Sequence, residues 1–209
     1  MNQAGFEQEF DEGILNMNDI WKLEGTGNAT IKDGRLVLQE EPDGIGVVLW
    51  TREDWPSDME LSFDVSFSNN RGIGVFFFAA RGSKGEDLFE TPSKRTGDYE
   101  EYIHGDINAY SASFHRYWPT GENNPGANLR RNAGFNLLHA AEADPMLEAE
   151  RTYHVLIRKE GAAIRIAVDG QVVHDYVDED PLGSGKVGFR LRGDASCRMA
   201  IDNVRIRGI

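Results

Sequence analysis

Cysteine is almost absent from this 209-residue chain: Cys197 stands alone. One thiol cannot close an internal disulfide, so the hydrophobic core must hold the fold. A single domain spanning 1–209 is long enough for that, burying roughly 70% of the surface of its unfolded chain. Basic charge is scarce as well. Lys plus Arg number 22 against 35 Asp plus Glu, a net charge of −13. Neutralising a phosphate backbone takes a basic surface, so nucleic acid is not an expected partner. Long apolar runs are missing, and none approaches the ~18 residues of a membrane span, so no membrane partner is expected either. Residues 1–10 carry Glu7 and Glu9 and lack the basic leader and apolar stretch of a secretory signal. With the single cysteine, this gives a cytoplasmic location as the expectation.

Several chemical signatures are also missing. The sequence has no Cys/His spacing for zinc, no phosphate-cradling glycine loop and no GxSxG elbow. No cofactor is expected; calcium stays open as an alternative, but no loop has a convincing spacing of its ligands. The pairs Glu86-Asp87 and Glu100-Glu101 are adjacent in sequence. On a strand they point to opposite faces, which makes neither a ready glycosidase pair. Helix signals are few, the best being 145–151 with Asp144 as its N-cap.

What the chain does have is a period of two. Met59, Leu61, Phe63, Val65 and Phe67 alternate with Glu60, Ser62, Asp64 and Ser66, as in a strand with one buried and one polar face. Residues 72–80 are apolar on both faces and read as a central strand. Similar alternation marks 153–158 and 186–192. Asp33-Gly34 and Asp169-Gly170 each separate two such runs, which is a strong hairpin signal because type I′ turns need φ > 0 at both central residues. About a dozen strands at this spacing predict an all-β fold: a two-sheet antiparallel β-sandwich of the jelly-roll kind with very little helix. Two polar segments, 81–96 and 119–127, read as the loops that frame a site.

Charge is unevenly distributed. Residues 1–60 hold fourteen acids and four bases, about −10, whereas 186–209 hold six bases and two acids, about +4. Either the two ends pair in space or the basic end forms a patch for an acidic small molecule.

The densest polar constellation is 98–118. If extended, His104, Asp106, Asn108 and Tyr110 share one face, with neighbours roughly 6.5–7 Å apart. A bulge at Gly105 would swap the parity. Such a row suits the floor of a groove, with His104, Asp106 and Tyr110 as candidate catalytic groups and Asn108 holding a ligand hydroxyl or carboxylate. Arg130 and Arg131 are neighbours, so only one of them lines a given groove, where its planar fork matches a carboxylate. Arg190 and Arg192 lie on the polar face of their strand and either meet N-terminal acids or line the same groove. Trp50, Trp55, Tyr117 and Trp118 are candidate stacking faces, with Trp50 at the groove wall. His115 and Asn128 complete the expected ligand contacts.

Three stretches carry a family resemblance. Residues 34–65 and 164–206, the latter with Ile-Ala-Val-Asp-Gly, Gly-Lys-Val-Gly-Phe-Arg and Ile-Asp-Asn-Val-Arg-Ile, resemble the opening and closing strands of concanavalin A-like jelly rolls. Gly105-Asp106-Ile107-Asn108-Ala109-Tyr110, Ser113-Phe114-His115-Arg116 and 128–135 resemble the YesU-like family of unknown function within the concanavalin A-like lectin/glucanase group. The resemblance implies a jelly roll associated with the breakdown of pectic or other acidic plant polysaccharides, and it supplies no catalytic residues. The expected partner is therefore an acidic oligosaccharide, handled by a lyase or glycosidase or held by a non-catalytic lectin-like module.

Overall fold

The computed structural model describes residues 6–8 and 17–209, so most of the stretch read for a leader lies outside the described residues. Fifteen strands are described: β1 (Phe6–Gln8), β2 (Trp21–Gly25), β3 (Gly27–Lys32), β4 (Arg35–Glu40), β5 (Val47–Thr51), β6 (Met59–Phe67), β7 (Gly72–Gly82), β8 (Ile107–Phe114), β9 (Ala127–Asn132), β10 (Asn136–Ala141), β11 (Tyr153–Glu160), β12 (Ala163–Val168), β13 (Gln171–Val177), β14 (Lys186–Gly193) and β15 (Arg198–Gly208). Among the described residues, helix is limited to α1 (Met17–Ile20), α2 (Tyr99–Ile103) and a 3-10 turn at Leu88–Glu90.

Two antiparallel sheets face each other. Sheet A runs β13-β12-β11-β6-β15-β4-β3, with β1 also pairing to β15, and sheet B runs β10-β9-β8-β7-β14-β5-β2. Period-two sequence explains sheet A directly. In β6 every odd residue is buried and every even one is half-buried. Val155 and Ile157 of β11 continue that inner face. The main core lies between the sheets, where Phe63 meets Phe76 and Phe189 edge-on at 4.8 and 5.0 Å. Burying such rings contributes their area and a further ~1 kcal/mol of ring-pair geometry.

Both Asp-Gly signals form hairpins. Asp33 and Gly34 have φ of 53° and 70°, and Asp169 and Gly170 have 50° and 78°, as two-residue type I′ turns require. The charge asymmetry resolves largely into pairing. Lys186 meets Asp54 and Arg192 meets Glu40 at 2.9 Å each, and Arg207 meets Glu60 at 2.6 Å.

Two local expectations differ. Residues 145–151 form bends and a turn instead of a helix. Asp144 does accept the Met146 N–H at 2.9 Å, but the turn it caps does not continue into a helix. The helix sits instead at α2, inside the stretch read as extended. Asp98 accepts the Glu100 N–H at 3.1 Å, and Glu101 reaches back to Thr96 and Gly97. The Asp98…Glu101 spacing is the capping signature that could have located it.

Sheet B carries buried residues on both faces. Behind the main core, a second cluster of Val48, Trp50, Val75, Phe77, Tyr102 and Ile107 fills part of its outer face. The cover comes from residues 83–106, which fold back over β5 and β7 with Leu88 and Tyr102 pointing down. That cover leaves one part of the outer face open.

Candidate functional site

The open part is a cavity of about 410 Å³ on the outer face of sheet B. Its floor comes from Ile73 and Val75 of β7, Ser113 of β8, Asn128 and Arg130 of β9, and Arg190 and Arg192 of β14. Alternation places these side chains together, because residues on one face of neighbouring strands stand side by side. One wall is α2, through Tyr99 and Ile103; another is the turn after β8, through Arg116, Trp118 and Asn124. Phe135 and Ile45 stand at the two sides.

Four arginines share the polar part of the lining with the carboxylates of Asp98 and Glu100. Arg130 donates to the Phe135 carbonyl at 2.9 Å, and its guanidinium lies 3.8 Å from the centre of the Phe135 ring. Arg116 donates to the carbonyls of Pro125 and Gly126 at 2.9 and 3.0 Å. Arg190, only 2% exposed, donates to the carbonyls of Ile45 and Gly97 at 3.2 and 3.0 Å and lies 4.8 Å over Tyr99. Its Nε is buried with no hydrogen-bond partner. Among the described residues, none of these three guanidinium groups has a carboxylate within ion-pair distance. Burial pulls all three below the usual arginine pKa. For Arg116, Asp144 opposes that shift and the charge of Arg130 adds to it. Arg192 differs, since Glu40 holds it at 2.9 Å. Burial also raises Tyr99, with Arg190 and Ser111 pulling the other way.

The predicted residues divide clearly. Asn128, Arg130, Arg190 and Arg192 converge on the cavity. Trp50 lies on the outer face of sheet B but is fully buried under Tyr102 and donates to Glu24 at 2.9 Å, so it walls no groove. Arg131 points the other way and pairs with Asp178 and Asp180 at 3.4 and 2.9 Å. His115 is buried against Phe67, its ring nitrogens 2.9 Å from the carbonyls of Met146 and Asn69.

The row expected from His104 to Tyr110 does not form one face. His104 caps the C-terminus of α2 and is largely exposed beside Glu100. Asp106 accepts the Ser93 N–H at 2.9 Å, and Asn108 accepts that of Ala133 at 3.4 Å. Tyr110 points inward to the main core, stacked on Phe78 and hydrogen-bonded to Asp178. The reason is local. The backbone of Glu101 packs where a Cβ of Gly105 would stand, so the chain turns there and β8 starts afresh at Ile107. Its odd residues then face outward. Tyr99, Arg116, Asn124 and Phe135 were not singled out by the sequence reading; the capping signature before α2 was the available signal for Tyr99.

A second cleft of about 640 Å³ runs beside β2 and 91–96. Its buried cation, Arg95, is already matched by Glu24 in a two-pronged pair at 2.9 and 2.9 Å. Arg95 therefore presents no unmatched charge to a ligand, and the other cations lining the cleft are Lys22 and Lys94.

The family described as domain of unknown function (DUF1961) matches residues 12–198. The uncharacterized protein YesU of Bacillus subtilis (strain 168) is 35% identical over 181 residues, 81% of each chain. A crystal structure of a Bacillus subtilis protein of unknown function with a galectin-like fold matches with a TM-score of 0.85 at 28% identity, over 100% of this chain and 97% of that one. The carbohydrate binding module CBM66 from Bacillus subtilis matches with a TM-score of 0.58 at 17% identity, over 90% and 95% of the two chains. A Bacillus licheniformis beta-glucanase matches with 0.66 at 14%, over 100% of both. At such identities the likeness shows the jelly-roll fold alone. With 12–198 matched and a relative 35% identical over 81% of each chain, the chain belongs to the DUF1961 family.

Proposed function

We infer that the outer-face cavity binds an acidic oligosaccharide. One observation carries this reading: Arg116, Arg130 and Arg190 converge on one cavity with carbonyls but no carboxylate as partners. In a chain of net charge −13, carboxylates are plentiful. Desolvating a cation is costly without an opposite charge, and an anionic ligand supplies one. The remaining lining suits a sugar. Tyr99, Phe135 and Trp118 offer ring faces, and Asn124, Asn128 and Ser113 offer groups for hydroxyls. The volume falls in the usual range for small-molecule sites.

Binding without chemistry fits this geometry better than a lyase or glycosidase. Acid–base catalysis needs positioned proton donors and acceptors around one reacting atom. His104, Asp106 and Tyr110 are dispersed; of the two carboxylates lining the cavity, Asp98 is engaged in capping α2 and Glu100 lies largely exposed beside His104. The fold relative named as a carbohydrate binding module is consistent with this reading.

Calorimetry with uronate and neutral oligosaccharides tests the proposal, with galacturonate oligomers as the first probe because of the family resemblance. Uronates are expected to bind, to weaken as salt rises, and to be recovered intact by mass spectrometry. Binding confined to neutral sugars would overturn the acidic assignment, and an unsaturated or hydrolysed product would restore an enzyme.

A further inference from the structure

The cavity is closed on three sides. On the β5 side, Gly25, Gly46 and Gly97 pack backbone against backbone, at φ of 94°, 135° and 102°. A Cβ on any of them would collide with a neighbouring carbonyl, so only glycine permits this approach. Arg190 bridges the same junction through the carbonyls of Ile45 and Gly97. Beyond it the sheet face is filled, with Val48 and Trp50 fully buried.

The two ends of β8 are blocked as well. Before the strand stands α2 with Tyr99 and Ile103. After it comes a tight turn in which Trp118 N–H donates to Glu122 at 2.8 Å and Asn124 N–H to Arg116 at 2.7 Å. The remaining side leads to β10, the sheet edge, where Asn136 and Leu137 are exposed. Arg190 at the closed side is buried, whereas Arg192 and Arg130 are half-buried.

Resting on the reading of this cavity as a sugar site, we propose that it receives the terminal unit of an acidic glycan and excludes the interior of a chain. The last unit lies toward Arg190 and Arg192 at the closed side. The next unit lies between Arg130 and Arg116, and the remainder leaves over β10. Such a site reads one chain end, counts chains instead of residues, and gains nothing from added length once its subsites are filled.

The test uses the intact protein and panels of galacturonate, glucuronate and mannuronate oligomers of two to six units. For a bound tetramer, one sample is reduced to the alditol at its reducing end and another is O-methylated on its non-reducing terminal unit. The expected result is at least a tenfold loss from one modification and less than twofold from the other. Affinity per mole of chain should also stop rising beyond about three units. Equal sensitivity to both modifications or to neither, or affinity that keeps growing with length, would overturn chain-end recognition while leaving the sugar site standing. Failure of every uronate to bind would overturn the acidic-sugar reading of the cavity, and this inference with it.

Discussion

The Tyr110 hydroxyl donates to Asp178 Oδ2 at 2.6 Å and accepts the Leu182 N–H at 2.9 Å. The pair ties β8 of sheet B to the loop leaving β13, the outermost strand of sheet A. Burial, then the bond to Asp178, pushes the phenol pKa up, which suits a structural donor and not a base. Tyr110→Phe is expected to cost about 1–3 kcal/mol in urea unfolding and to leave uronate affinity unchanged. Lost affinity at unchanged stability would return Tyr110 to the site.

Arg116 and Arg130 are desolvated by burial, and the charge of Arg130 further disfavours that of Arg116. Arg116→Ala and Arg130→Ala should each weaken uronate binding at least tenfold in calorimetry while neutral sugars are unaffected. Arg130→Lys should not restore affinity, since an ammonium lacks the planar fork and stacks poorly on Phe135. Retained affinity in both alanine variants would remove the carrying observation.

His139 and His174 meet through their Nδ1 atoms at 2.9 Å, joining β10 and β13, the edge strands of the two sheets. Burial, then the neighbouring His139, lowers the His174 pKa from 6.5 to about 4. Between those values the unfolded chain binds more protons than the native one. His174 therefore reduces stability progressively as pH falls from about 6.5 to about 4, by up to about 3 kcal/mol. Urea midpoints of wild type and His174→Asn, compared across that window, should diverge in slope. Parallel profiles would show that His174 does not titrate on unfolding.

Cys197 is buried, and burial followed by the charge of Asp194 pushes its thiol up to about 12. The thiolate is the reactive form, so an aromatic disulfide reagent at pH 8 should leave the native protein unmodified and titrate one thiol after denaturation. Rapid native labelling would place Cys197 in a more open setting.

Gly97 combines φ of 102° with a backbone that leaves no room for a Cβ beside the Gly46 carbonyl. Gly97→Ala should lower stability by at least ~2 kcal/mol and weaken the closed side of the cavity. Thermal unfolding at the wild-type midpoint would contradict the packing of Gly25, Gly46 and Gly97.

Local chemistry alone determined a good part of this molecule. Alternation over 59–67 produced β6, and Asp33-Gly34 and Asp169-Gly170 produced two hairpins. Excess acid at one end and base at the other met as ion pairs, Arg192 with Glu40 and Arg207 with Glu60 among them. These are short-range rules: the pleat sets a period of two, and the turn sets the sign of φ. Tertiary structure decided the site. A strand's period is legible, but which parity faces outward depends on where the strand begins, and Gly105 reset that point for β8. The choice of Arg130 over Arg131 followed from the same parity, as Asp178 lay on one side of the sheet and the cavity on the other. Trp50 was expected at a groove wall, yet residues 83–106 folded back and buried it. Side-chain direction repeats along the chain and can be counted. Cover by a distant segment has no period, and only the packed molecule reveals which part of a sheet remains open.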